Sequence, residues 1–157
     1  MKNINQICDY VILRFKQDED IPLSNIKLQK LLYYIQAWYL AFNDGKKLFE
    51  GNFQAWVHGP VNRQIYDRFN SSKYLYSDIS LSDVKDINVI EKLTSEEISH
   101  VNSVLDVYSP FSGIELEEMS HKEDPWINAR TGYSSNQRCE VEIDNEFLGE
   151  YFRKRIQ

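Results

Sequence analysis

Cysteine is scarce in this chain: Cys8 and Cys139 are the two among 157 residues. Two thiols supply neither a disulfide framework nor a cysteine-rich metal site, and a chain this long can bury enough core to need neither. Free thiols in a reducing cytoplasm are expected, with Cys8, on an apolar stripe, as a buried structural thiol. The N-terminal MKNINQICDYVILRF lacks the basic-then-apolar stretch and small-residue cleavage site of a secretory signal. No uninterrupted apolar run approaches the roughly 20 residues of a membrane-spanning helix. Glycine (6) and proline (4) are too few for a low-complexity tract. Basic charge is in deficit, with 18 Lys and Arg against 24 Asp and Glu and a formal net charge of −6. That balance argues against a general nucleic-acid binder, which needs surplus cations along one face.

Signatures of catalysis are also missing. The three histidines, His58, His100 and His121, form no HExxH or HxH motif; there is no CxxC, no glycine-rich phosphate loop and no GxSxG elbow. A metal-dependent hydrolase assembled from His58, His121 and Glu123 or Asp124 is the weakest of the readings considered. His58 is better read as an anchor of the turn that follows it, and His121 as a favourable charge at a helix C-terminus. No enzyme activity and no cofactor are expected.

What is present is a globular composition, 42% hydrophobic and 13% aromatic. Ile4, Ile7, Cys8, Val11, Ile12 and Phe15 recur at helical spacing, predicting an amphipathic helix that covers the core and ends in the polar run from Lys16. Ser24 caps a long helix to about Phe42, with Leu28, Leu31, Leu32, Ile35, Trp38, Tyr39 and Phe42 on one side and Tyr33, Tyr34 and Ala37 widening it. This is the predicted central helix. Residues 47–57 read as short strands; Gly59 and Pro60 then start another helix, with Val61, Ile65, Tyr66 and Phe69 inward. Residues 71–92 read as an irregular excursion. Capping boxes at Thr94/Glu97 and Ser112/Glu115 open two further helices, and Asp124–Pro125 restarts another. After a polar loop at 130–138, Cys139, Val141 and Ile143 alternate as in a half-buried strand, and a last helix carries Phe147, Leu148, Tyr151 and Phe152. The fold expected is mainly α: one domain, 1–157, of five to seven helices around residues 24–42, with a minor β element drawn from 47–57 and 139–143.

Lys27 and Lys30 near the start of the central helix, and Arg63 and Arg68 on the next, read as solvated helix surface, with phosphate or an acidic partner as the functional alternative. Two acidic runs, 78–97 and 115–124, read as a solvated surface with net self-repulsion, with a basic partner as the functional alternative. Trp56, Tyr66 and Trp126 read as core, whereas Tyr74 and Tyr76, in the irregular excursion, should be exposed.

Three blocks, KLQKLLYYIQAW at 27–38, LFEGNFQAWVHGPVNRQIYDRF at 48–69 and SGIELEEMSHKEDPW at 112–126, resemble the Panacea domain, a phage-associated family that includes SocA-like proteolytic adaptors. Lys27, Leu28, Lys30, Leu31 and Tyr34 carry the match, with Ala55, Trp56, Gly59, Pro60, Val61 and Tyr66, then Leu116, His121, Pro125 and Trp126. The resemblance implies a mostly helical antitoxin that neutralises a co-encoded toxin by binding it, and, in SocA-like members, delivers it to an ATP-dependent protease. A phage or mobile-element regulator binding a host factor or DNA is the runner-up.

The complex expected is one-to-one or two-to-two, centred on exposed aromatics and framed by charge. Tyr74→Ala and Tyr76→Ala are then expected to weaken toxin neutralisation in a growth assay while leaving the thermal melt unchanged. Trp56→Ala should instead lower stability by the ~3 to 5 kcal/mol of a large core truncation. The opposite outcome would move the binding face to Trp56–His58.

Overall fold

The computed structural model describes residues 1–156. Asn3 and Gln6 form a capping box that starts α1 (Ile4–Lys16), and Ser24 Oγ accepts from Lys27 N at 3.2 Å to start α2 (Asn25–Phe42). A two-stranded antiparallel hairpin follows, β1 (Gln54–Trp56) and β2 (Gly59–Val61), and then α3 (Arg63–Phe69). After two single-turn 3₁₀ helices, Leu81–Asp83 and Val89–Lys92, come α4 (Ser95–Tyr108), α5 (Gly113–His121), α6 (Asp124–Ala129) and α7 (Asn145–Arg153). The fold is mainly α, as expected. Both predicted capping boxes are formed, and Pro125 sits in the first turn of α6.

α2 is the hub: α7, α4, α5, β2 and α1 all pack on it. Leu28, Leu31, Leu32, Tyr33, Tyr34, Ile35 and Ala37 are fully buried, each large apolar side chain contributing roughly 1.5 to 3 kcal/mol. Tyr34 stacks on Tyr108 with ring centroids 4.1 Å apart, and meets Tyr33 and Phe152 edge to face. Trp38 packs edge-on against Phe152 and donates from Nε1 to Tyr108 Oη at 2.8 Å.

Polar side chains of α2 do equally specific work. Gln29 donates to Asn62 O (3.1 Å) and accepts from Asn62 N (2.9 Å). Gln36 donates to Phe49 O (2.8 Å) and accepts from Leu48 N (2.9 Å). Each buried amide pairs with backbone as a neighbouring strand would.

Several expectations are corrected here. Gly59 and Pro60 do not start a helix: they lie in β2, where Gly59 has φ 99° and Pro60 pairs with Ala55. The helix begins four residues later, because Asn62 Oδ1 takes the amide of Ile65. Residues 139–143 join the hairpin only through an isolated bridge, Gln54 to Glu142, flanked by Ala55 N to Val141 O and Ile143 N to Phe53 O. α1 is not a cover but part of the core, since the excursion at 71–93 wraps its outer side with buried Ile79, Val89 and Leu93.

Arg68 is not solvated either. Its guanidinium and the Asp9 carboxylate form a buried pair at 2.5 Å, and it also donates to Asn5 Oδ1 and Asp83 O. Asp9 accepts the amides of Lys85 and Asp86 as well, so one carboxylate joins α1, α3 and the excursion. Removing it strands a buried guanidinium and two amides. Asp9→Ala is expected to lower stability by about 3 to 5 kcal/mol in urea unfolding; a loss below about 1 kcal/mol, as at exposed pairs, would show the clamp to be dispensable.

Candidate functional site

The site is built outward from Gly59. A Cβ there would lie 2.6 Å from Lys30 Cε and 3.0 Å from Ser120 Oγ, so the bare glycine leaves room for the Lys30 stem beneath the hairpin. Lys30 Nζ donates to Pro60 O at 3.1 Å. The residue is 1% exposed. Burial pulls its pKa from 10.5 down to about 7, with the charge of Glu117 working the other way. Lys27 is buried too, its ammonium 2.6 Å from Ser109 O and over the Phe15 ring. Neither lysine belongs to a solvated helix surface.

α6 supports the hairpin from behind. Trp126 donates from Nε1 to Trp56 O at 2.8 Å, and buried Arg130 donates to Ala55 O and to the carbonyls of Ser134 and Gln137. Trp126 is core, as read from the sequence, with Pro125 buried beside it. His121 stacks on Trp126 at 4.1 Å. Its Nε2 is buried with no partner among the described residues, and burial lowers its pKa, which weighs against a charged helix-terminal histidine. His58 is exposed, its Nδ1 3.3 Å from Glu117 Oε2.

In front of this scaffold lies a cleft of about 540 Å³ between the start of α2, the hairpin, α3, the Tyr74–Leu75 stretch and residues 138–140. The core reading of Trp56 and Tyr66 is overturned. Trp56 is half-buried and Tyr66 is 38% exposed; they meet edge to face at 4.9 Å, and both line the cleft. The Arg63 guanidinium lies 4.9 Å from the Trp56 ring and 5.6 Å from that of Tyr66 and pairs with Glu140. Tyr74, at the rim, is 85% exposed, and Tyr76 is exposed nearby, as expected.

The predicted site residues thus divide. Lys27, Tyr34, Gly59, Pro60, Pro125 and Trp126 are internal, His121 is half-buried against Trp126, Lys30 forms the floor, and Trp56, His58, Tyr66, Tyr74 and Tyr76 are accessible. Because Trp56 is not core, its truncation falls short of a full cavity penalty. Sequence reading missed Gln29 and Arg130, whose partners are distant backbone atoms. It also missed the stacking of Arg63, for which the Arg63 to Tyr66 spacing of i, i+3 was the available signal.

Several carboxylates of the acidic runs already have partners within the chain. Asp78 pairs with Lys16, Asp83 with Lys73 and Asp86 with Lys92, while Glu97 and Glu115 close capping boxes. Glu123 is buried and accepts from Tyr34 Oη and Arg155, so it does not join His58 and His121. Among the described residues no three His, Cys, Asp or Glu side chains gather as a metal would require, and no helix is long and apolar enough to cross a membrane.

The fold and the site describe a mainly helical domain presenting an aromatic, cationic cleft. Residues 28–127 match the family described as antitoxin SocA-like, Panacea domain. Antitoxin SocA of Caulobacter vibrioides (strain NA1000 / CB15N) is 30% identical over 140 residues, spanning 85% of this chain and 74% of that protein. No solved structure matches. The chain belongs to the SocA-like antitoxin family with the Panacea domain.

Lys30 generates a prediction about pH. The unfolded chain holds this proton up to about 10.5 and the folded chain releases it near 7, so between those values the unfolded state binds more protons. Its contribution therefore makes stability rise with pH through that window, by up to about 1.4 kcal/mol per pH unit. Urea unfolding at pH 7 and 9 should show Lys30→Met flattening this rise and gaining stability at pH 7. An unchanged slope in the variant would overturn the assignment.

Proposed function

We propose that this chain, acting as one domain in the cytoplasm, neutralises a partner toxin by direct protein binding, and that the cleft in front of the hairpin is the binding face. One observation carries the placement: Trp56, Tyr66 and Arg63 form an accessible stacked group on a rigid base. Tryptophan, tyrosine and arginine are the residue types that dominate binding energy at protein interfaces. The hairpin that carries Trp56 is held from behind by Lys30, Trp126 and Arg130, and α3, which carries Arg63 and Tyr66, by the buried Arg68–Asp9 pair, so the group needs little further ordering when a partner arrives. Family membership and the resemblance to antitoxin SocA support the toxin as the partner. Delivery to an ATP-dependent protease is the finer form of the same reading.

Co-expression with the product of an adjacent gene tests it. The expected result is growth arrest without this chain, rescue with it, and co-purification of the pair. Arg63→Gln with Tyr66→Ala should abolish rescue with the melting temperature of the antitoxin kept. Rescue that requires an ATP-dependent protease, with a falling toxin level, would establish the adaptor form. Rescue with no physical complex and no loss of toxin would overturn direct binding.

A further inference from the structure

The charge of the cleft is opposite to that of the chain. Arg63, Lys73 and Arg138, joined by Lys30 when it is protonated, line it against one acid, Glu140, in a molecule of formal net charge −6. Glu140 is shared, pairing with Arg63 and lying 3.5 Å from Arg138, so one carboxylate faces two guanidinium groups. Lys73 is paired with Asp83.

Lys30 adds a second and independent observation. Its Nζ makes a single hydrogen bond, to Pro60 O, and no carboxylate among the described residues lies within ion-pair distance. An ammonium has three donors, and a buried one with a single neutral acceptor is under-satisfied. Ile26, Trp56, Val61 and Tyr66 give the cleft walls an apolar and aromatic part beside their polar residues. A partner that completes this arrangement brings an acceptor of negative charge beside an apolar side chain.

We infer that the cleft takes an acidic segment of the partner, a carboxylate directed at Lys30 and Arg63 with an adjacent aromatic or large apolar residue against Trp56 and Tyr66. This rests on the direct-binding reading above and gives the partner's contacting segment its chemistry. It also reverses the expectation of a basic partner drawn to the acidic runs, whose carboxylates mostly hold internal partners. A long polyanion fits less well, because Glu140 and Glu117 stand beside the cationic groups and the whole chain is acidic.

The test uses the full chain, ¹⁵N-labelled, titrated with capped tetrapeptides Gly-Glu-Phe-Gly, Gly-Gln-Phe-Gly and Gly-Lys-Phe-Gly. The glutamate peptide should shift the amides of Trp56, Gly59 and Arg63 at concentrations at least about ten-fold below the glutamine one, a difference of about 1.4 kcal/mol. The lysine peptide should leave them unmoved. Lys30→Met and, independently, the exposed-site variant Arg63→Gln should each remove the preference for glutamate. Equal response to glutamate and glutamine, preference for lysine, or tighter binding of a twelve-residue oligothymidylate would overturn the inference. If the glutamate preference holds but no toxin complex forms, the direct-binding reading fails and the acidic-ligand site stands. A toxin complex indifferent to Arg63→Gln and to excess glutamate peptide overturns this inference alone.

Discussion

Buried backbone groups that a two-stranded hairpin leaves unpaired, in its strands and on either side of them, still need partners, and α2 supplies them from its own side chains. Gln29 and Gln36 lie seven residues apart, on one face of the helix, and each clasps the main chain of residues 48–62 with a donor and an acceptor. Between them, Lys30 holds Pro60 O. The hairpin has three residues in each strand, too little to stand alone in water. Its position is therefore set by the helix beneath it, and Trp56, together with α3 that follows directly and carries Arg63 and Tyr66, inherits that position. Losing Gln36 would leave Phe49 O and Leu48 N buried and unpaired, a penalty of about 1 to 3 kcal/mol for each, whereas losing Gln29 would orphan Asn62 N alone, since Asn62 O also accepts from Tyr66 N.

Helix boundaries were largely legible because their signals are local. Ser24, Thr94, Ser112 and the Asp124–Pro125 pair each act on amides within three residues, and apolar spacing identified α2 as the hub. The misreading at Gly59–Pro60 has the same origin in reverse. Proline suits a first helical turn and also an edge strand, and the choice between them was made by the left-handed glycine before it and by Lys30 below, neither of which spacing reveals. Buried polar groups were the least legible. Asp9, Gln29, Lys30, Arg68 and Arg130 look like solvated positions until the segment that covers them is placed, and those segments lie tens of residues away.

The cleft was half legible. Residue type and the resemblance single out Trp56, Tyr66 and Tyr74, but place two of the three in the interior. Aromatic residues in a small helical domain are usually core, and here a distinct aromatic cluster around Tyr34, Tyr108, Trp38 and Phe152 already fills that role. Trp56 of the hairpin and Tyr66 of α3 are thereby left at the surface, where the Arg63 guanidinium stacks against both. The sign of the cleft is hidden in the sequence for a related reason. Counting acids along 78–97 ignores that capping and internal pairing engage most of them, so the local sign of a surface can oppose the sign of the whole chain.

The excursion at 71–93 is fastened in an unusual manner for so long a connection. Ser77 O and Leu75 O take the first amides of α2, Ile79 N reaches Leu23 O, and Asp9 holds the amides of Lys85 and Asp86. At these points it is the peptide chain of the excursion that is gripped, not its side chains. Residues such as Tyr74, Tyr76, Ile87 and Ile90, all exposed, contribute nothing to those fastenings. Mutational drift at these positions is therefore decoupled from foldability: a lineage can rewrite the outward face of the loop beside the cleft while its anchors, most of them outside the loop, remain unchanged.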